Sequence, residues 1–465
     1  MVVYYPESYN CNRENMHMTG KSMTEGTPWK HILKFSLPIL LGAVLQQLYN
    51  TVDTIIVGNF TGQAALAAVG TTGTMLFFFL AAAIGFSAGN GVLTSQHFGA
   101  GDFEKVRRDA ANGILFMLLL GAVTTVAALL LSRKIYTGFI AVPPEILDDT
   151  LLYFRIYSLG LIFQFGYNIL AAVLRSVGDS AATFYFLLLA SILNIVLDLW
   201  FVAGLDMGAA GAAWATNISQ AASMLAAWIY MHRKYPVFRY KMRDWQLEFP
   251  IVRDTFRIGW PIALQMMIVA MGISFIQRAV NSFGQTMTAA FTVGHRMEMY
   301  LHLPCNALMT TMATFTGQNA GAKRLDRVRQ GALQGVLLSF VCTLIPAAAI
   351  WLLSGVIPKA FALESTAFEY CASYLNAMAF IVVILSLYVP LFGVFQGTRH
   401  ALTPTIVALC ALTLRVIVTY LFKDSGFFGH TIIWWNGLFG FATGCTITWC
   451  CYLSFRWQRN ALGDN

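Results

Sequence analysis

Three acids sit well inside apolar runs of this chain: Asp53, Asp198 and Glu298. A carboxylate at the centre of a bilayer costs about 2.5–3.5 kcal/mol on insertion scales, so each demands a function or a partner. Gln46, Asn50 and Asp53 are separated by four and three residues, which brings all three to one helical face as a polar stripe. Asn194 and Asp198, four apart, place an amide oxygen and a carboxylate one turn apart on another helix. If Asp53 and Asp198 share a pocket, their repulsion and loss of water favour uptake of H⁺. An all-oxygen ligand set equally suits a hard cation such as Na⁺, and the residues leave both ions open. The plainer alternative is that each acid is a structural hydrogen-bond partner for a neighbouring helix.

Other residues are candidates by position. Pro38 lies fifteen residues before Asp53 in the same helix and leaves a backbone carbonyl free, so charge at Asp53 and bending at Pro38 are candidates for coupling. Pro261 occupies a nearly equivalent place in the second half. The helix after it carries Gln265, Met266, Met267, Met271 and Gln277, a soft wall that suits varied apolar ligands and equally suits plain packing. Glu298 is a candidate cleft residue, or the partner of Arg296 in a buried ion pair. Arg278 and Arg415 have no role fixed by sequence.

Several apparent motifs fail on context. Gly85-Phe-Ser87-Ala-Gly89 matches a nucleophile elbow, but it falls inside an apolar run where a strand-to-helix turn is out of place. Its glycines read better as small-residue helix packing, as do Gly440 and Gly444. His295 and His302 flank Glu298 without an HExxH pattern, and there is no Walker A sequence. No catalytic residues or cofactor are expected, and the chain reads as a non-enzyme. An intramembrane enzyme or receptor would need a catalytic pair besides the two acids.

These residues require long apolar helices to hold them. Of 465 residues, 57% are hydrophobic and 11% charged, and the mean hydropathy of +0.62 excludes an ordinary soluble enzyme. The net charge of +8 sits between the apolar runs, so nucleic acid is not an expected partner; the lipid bilayer is. Windows of about twenty residues give spans near 33–57, 65–90, 111–132, 150–173, 182–203 and 208–231, then 259–282, 288–314, 332–353, 367–393, 404–423 and 431–455. With this count only Arg133, Lys134, Lys359 and Lys423 fall in outer loops, which places both termini in the cytoplasm.

The expected organisation is a cytoplasmic tail (1–29), an N-lobe (30–231), a basic linker (232–258), a C-lobe (259–455) and a short tail (456–465). The halves repeat at an offset of 222 residues: the segment from Gln96 to Arg107 matches that from Gln318 to Arg329 at five of twelve positions. Six spans per half make the repeats parallel, enclosing a central cleft. The acids do not repeat: at an offset of 221, Asn194 meets Arg415 and Asp198 meets Thr419. Ion binding is therefore expected in the first half alone.

Leu37-Pro38, the run Gln46-Gln-Leu-Tyr-Asn50-Thr-Val-Asp53 and the repeated Gln/Gly-Ala segments resemble multidrug and toxic compound extrusion (MATE) transporters, in the bacterial DinF-like branch. The resemblance implies an all-α polytopic membrane protein of twelve transmembrane helices, exporting organic, mostly cationic and amphipathic compounds by H⁺ or Na⁺ antiport. It implies a cation site at Asp53, Asn194, Asp198 and Thr216, with Pro38 as the bending proline. It also implies an inner (plasma) membrane location, small-molecule substrates and a monomer. Lipid-linked oligosaccharide flippases of similar architecture are the alternative; they would be expected to have more than twelve spans or a strongly cationic cleft for a pyrophosphate, for which Arg278, Arg296 and Arg415 are too few to decide.

Overall fold

The computed structural model describes residues 20–458 apart from 141 and 364. Most of the expected N-terminal tail, and residues 459–465 of the C-terminal one, lie outside the described residues.

The helices follow the apolar runs, with instructive departures. Helix α1 (Pro28–Gly99) contains the first two expected spans. Its arms, Pro28–Thr61 and Ala67–Gly99, lie side by side, because Gln46 and Tyr49 line the same cavity as Leu80 and Ile84. A straight helix rising 1.5 Å per residue would hold residues 46 and 84 about 57 Å apart. The second arm runs nine residues past the expected boundary at 90. Hydropathy falls over Thr94, Ser95 and Gln96, yet these side chains are buried against the other half, where polar groups find partners.

Helix α2 (Phe103–Lys134) passes into a π-helical turn, Ile135–Phe139. The fourth span is two helices, α3 (Pro144–Leu159) and α4 (Leu161–Ser176), bent by 43° at Gly160. Helix α5 (Ser180–Asp198) ends in a second π-helical turn, Leu199–Gly204, and α6 (Gly208–Lys234) closes the first half. The second half comprises α7 (Phe249–Asn281), α8 (Gln285–Gly321), α9 (Leu325–Leu353), the short α10 (Ile357–Ala360), α11 (Ser365–Ser386) broken from α12 (Val389–Gly397), α13 (Leu402–Phe422) and α14 (Ile432–Leu453). Among the described residues, eight helices are long and apolar enough to cross a membrane, or nine with the bent α3–α4 pair. Helices α6, α8 and α14 complete the twelve; Ser, Thr, Asn and charged residues lower their hydropathy.

Separate apolar cores build the halves, one around Phe154, Phe165 and Val173, the other around Tyr374, Met378 and Trp434. Leu130, Ile345 and Leu421 are exposed on outer faces while Asn90, Thr94 and Ser95 are buried, the arrangement lipid favours. Between α6 and α7 the linker is tied to the first half: Trp228 stacks on Tyr240 at 5.7 Å, and Arg108 pairs with Glu248.

The halves meet through the repeated segment itself. A Cβ on Gly99 would lie 1.9 Å from the Gln318 carbonyl oxygen, and one on Gly321 would lie 1.8 Å from that of Gln96. Both pairs are related by the 222-residue offset, as expected where two parallel repeats touch at their symmetry axis. Gln96 Nε2 donates to the Gly397 carbonyl (2.8 Å), and Gln318 Nε2 donates to that of Ser176 (2.9 Å), so each repeat binds a helix end of the other. Further along, Gly85 packs on Ala263, and Gly89 on Thr255 and Gly259, which confirms the packing reading of these glycines. The Gln96 and Gln318 contacts lie at the end carrying the basic loops, so the cleft between the halves is closed there.

Asp179 fixes the start of α5. Its Oδ1 accepts from the Ala182 N–H (3.2 Å), and its Oδ2 accepts from Tyr230 (2.8 Å), Tyr235 (2.6 Å) and Lys234 (2.9 Å). Burial opposes the charge, but these donors outweigh it and hold the carboxyl below the ordinary carboxylate range. A carboxyl lowered on folding contributes stability above its unfolded pKa of about 3.9 and loses it as pH falls through the lower folded value. Asp179→Asn is therefore expected to cost on the order of 1–3 kcal/mol near pH 7, with the gap closing below about pH 4. Thermal unfolding in detergent across that range checks it.

Candidate functional site

The expected cation ligands come together in the first half, on helices that carry irregularities. Pro38 breaks the hydrogen bonding of α1 two turns before Gln46. Asp198 is the last α-helical residue before the π-helical turn, a distortion that re-aims side chains. Thr216 is positioned by its neighbour Asn217, whose Nδ2 donates to the Ile156 carbonyl (2.6 Å) just before the Gly160 bend. A Cβ at residue 160 would sit 1.8 Å from Asn217 Oδ1, so glycine is required for this approach.

The Asp53 and Asp198 carboxyls are close enough to act directly on one another. Asn194 Nδ2 donates to Thr216 Oγ1 (3.4 Å), which in turn donates to the Ala212 carbonyl (3.0 Å). That spends the donors and leaves acceptors: Asp53 Oδ1, both Asp198 oxygens and Asn194 Oδ1 are buried without a hydrogen-bond partner. A cluster of orphaned acceptors calls for a positive charge, either a proton shared by the carboxyls or a metal ion among the oxygens.

Beside this cluster lies a cavity of about 230 Å³ walled by both arms of α1 and by α3 to α6. Pro38 and Gln46 line it; Asn50 is exposed on α1 and is not among the lining residues. Tyr49 and Tyr157 line the cavity; Tyr49 is close enough to both carboxyls, and Tyr157 to that of Asp53, for direct electrostatic influence. Sequence reasoning passed over Tyr49, although it lies three residues after Gln46 and four before Asp53, on the same stripe. Gln164 also lines the cavity, and its Nε2 donates to Tyr157 Oη at 2.6 Å. Arg175, which falls in an inner loop just past the expected fourth span (150–173), instead faces this cavity and is its charged lining residue.

The second-half candidates are placed differently. Gln265, Met266 and Met267 are half-buried, Met271 is exposed, and none of them lines this cavity. Gln277 donates to Asn281 Oδ1 (2.8 Å), and Asn281 lines a second, open cavity with Gln285 and Thr288. Glu298 does not pair with Arg296, as residues two apart on a helix point to different faces, and Arg296 is exposed. Its carboxylate accepts from His295 Nδ1 (2.9 Å) and Tyr374 Oη (2.5 Å) inside the second half. Arg278 is exposed, and Arg415 Nε donates to Asn436 Oδ1 (2.8 Å).

Twelve spans in two parallel repeats, joined at one end and holding a pair of buried acids in the first half, define a membrane transporter. The MatE family model matches residues 38–200 and 261–421, one segment in each half, and the chain belongs to that family. The probable multidrug resistance protein YpnP of Bacillus subtilis is 29% identical over 409 residues, 87% of this chain and 91% of its own. The multidrug export protein MepA of Staphylococcus saprophyticus is 23% identical over 88% of this chain and 90% of its own. A solved structure described as the outward-facing conformation of a multidrug resistance MATE family transporter superposes with a TM-score of 0.88 at 24% identity, covering 95% of this chain and 98% of that one. The all-α fold of twelve spans in two six-helix halves is thereby established.

Proposed function

We propose that the chain is a multidrug exporter that exchanges organic, mostly cationic and amphipathic compounds for inward-moving H⁺ or Na⁺. The observation that carries this is the set of four buried acceptor oxygens on Asp53, Asp198 and Asn194 that lack donors. A cation supplies the missing partner, and its binding energy differs between states in which these helices are packed differently. A ligand shifts a conformational equilibrium only by such a difference. With the basic loops in the cytoplasm of a cell whose inner membrane holds the chain, the halves are closed on the cytoplasmic side and the cleft faces out. Coupling ions then enter from outside, and rocking of the lobes exposes the substrate cavity to either side in turn. The relatives named for multidrug export support the substrate class. Of the candidate cleft arginines, Arg415 is held by Asn436, and Arg175 is the charged residue lining the cavity, too few positive charges to favour a pyrophosphate.

Reconstitution in liposomes with pH and Na⁺ gradients imposed separately tests the reading. One of the two gradients is expected to drive counter-movement of a cationic dye. Dye flux indifferent to both gradients would overturn ion coupling.

A further inference from the structure

Helix α8 carries a buried acid whose surroundings differ in kind from those of Asp53 and Asp198. Glu298 is 3% exposed, while the side chains of His295 and His302, three residues before it and four after, are 22% and 29% exposed. Oε2 of Glu298 is satisfied by His295 and Tyr374. Oε1 lies 3.6 Å from His302 Nε2, beyond a hydrogen bond, and that nitrogen is buried without a hydrogen-bond partner among the described residues. Two lone pairs facing each other keep this distance; a proton between them closes it into a charge-assisted hydrogen bond.

We propose that His295, Glu298 and His302 form a second proton-binding site, in the second half, that takes one H⁺ from solvent onto His302 Nε2 and returns it to solvent as the lobes alternate. Its coupling to transport rests on the function proposed above; its proton binding does not. Glu298 attracts a proton to His302, burial and the Arg415 charge oppose it, and a second proton is opposed further. Arg415 balances Glu298 at a distance: its Nε is engaged by Asn436, and its guanidinium lies 5.1 Å over the Phe441 ring, which His302 meets edge-on at 6.3 Å. One proton takes the cluster from neutral to +1, and a second would add repulsion among two imidazoliums and Arg415. The other titratable groups facing the cluster, Cys371 behind Tyr374 on α11 and Tyr388 beside Arg415, ordinarily stay neutral through the imidazole range. Helix α14 contributes uncharged Asn436 and Phe441, and α1 offers uncharged Gln47 to Met299. Comparing the halves at a fixed offset does not reach this site, because it uses α8 where the first half uses α1 and α5.

The test is a proton titration of the purified full-length chain between pH 8 and 5, with histidine side-chain NMR as a second readout. Wild type is expected to take up about one more proton per molecule than His302→Gln, and Asp53→Asn is expected to retain that extra proton. Glu298→Gln keeps the shape of the cluster while removing its negative charge, and is expected to move the His302 transition about one pH unit or more lower. A His302→Gln curve that overlays wild type, in protein melting at the same temperature, would overturn the site. In liposomes the proton-to-substrate ratio is expected to fall by one in His302→Gln; an unchanged ratio would overturn the coupling while leaving the titration result to judge the site.

Discussion

Replacing Asp53 or Asp198 by Asn is expected to reduce efflux of a fluorescent cation at least tenfold, toward cells lacking the protein, without lowering its thermal stability. Both halves of that statement follow from the same geometry. The carboxyls approach each other in a region where Asp53 Oδ1 and both Asp198 oxygens have no donor. An amide at either position keeps the side-chain shape, removes one of two like charges and brings an N–H₂ donor to the orphaned oxygens, which is worth on the order of 1–3 kcal/mol. Folding therefore gains, or holds, what ion binding loses. If the acids were only structural partners for neighbouring helices, the amides would leave efflux near wild type. Dye efflux measured at matched expression, with melting of the purified variants, separates the two.

Gly99→Ala and Gly321→Ala are expected to have the next largest effect, by preventing closure at the end of the molecule that carries the basic loops. The added Cβ atoms would lie 1.9 Å and 1.8 Å from backbone carbonyl oxygens of Gln318 and Gln96. Backbone cannot swing aside as a side-chain tip does, so overpacking costs of about 1–3 kcal/mol apply to this state alone. A penalty of that size shifts the balance toward the state with this end open by about 5- to 150-fold, and both variants act in the same direction because the repeat relates them. Distances between spin labels on the two halves report the change. A distribution identical to wild type would show that the lobes do not close on these glycines.

How much of the site was legible beforehand depended on whether a residue's signal was local. Asp53, Asn194 and Asp198 stood out because a carboxylate in an apolar run violates a local rule, and helical spacing then fixed which neighbours share its face. Tyr49 sat on that face unnoticed, since an aromatic in an apolar helix breaks no rule. Glu298 stood out for the same reason as the others, but its partner was misread: proximity in sequence suggested Arg296, whereas the angular step of a helix put His295, His302 and a tyrosine from α11 around it. Arg175 looked like an inner-loop charge because its position at the end of an apolar run says nothing about which way the side chain turns.

By itself the sequence determined the membrane class, the helices, their number and their repetition, because the cost of exposing polar groups to lipid is paid residue by residue and leaves a one-dimensional record. Tertiary structure alone decided that α1 folds back beside itself, that the segment after residue 90 is buried rather than looped, and that the two copies of the repeat touch through Gly99 and Gly321. It also decided which buried oxygens lack donors. These depend on contacts between residues tens to hundreds of positions apart, and a local hydropathy record holds no trace of them.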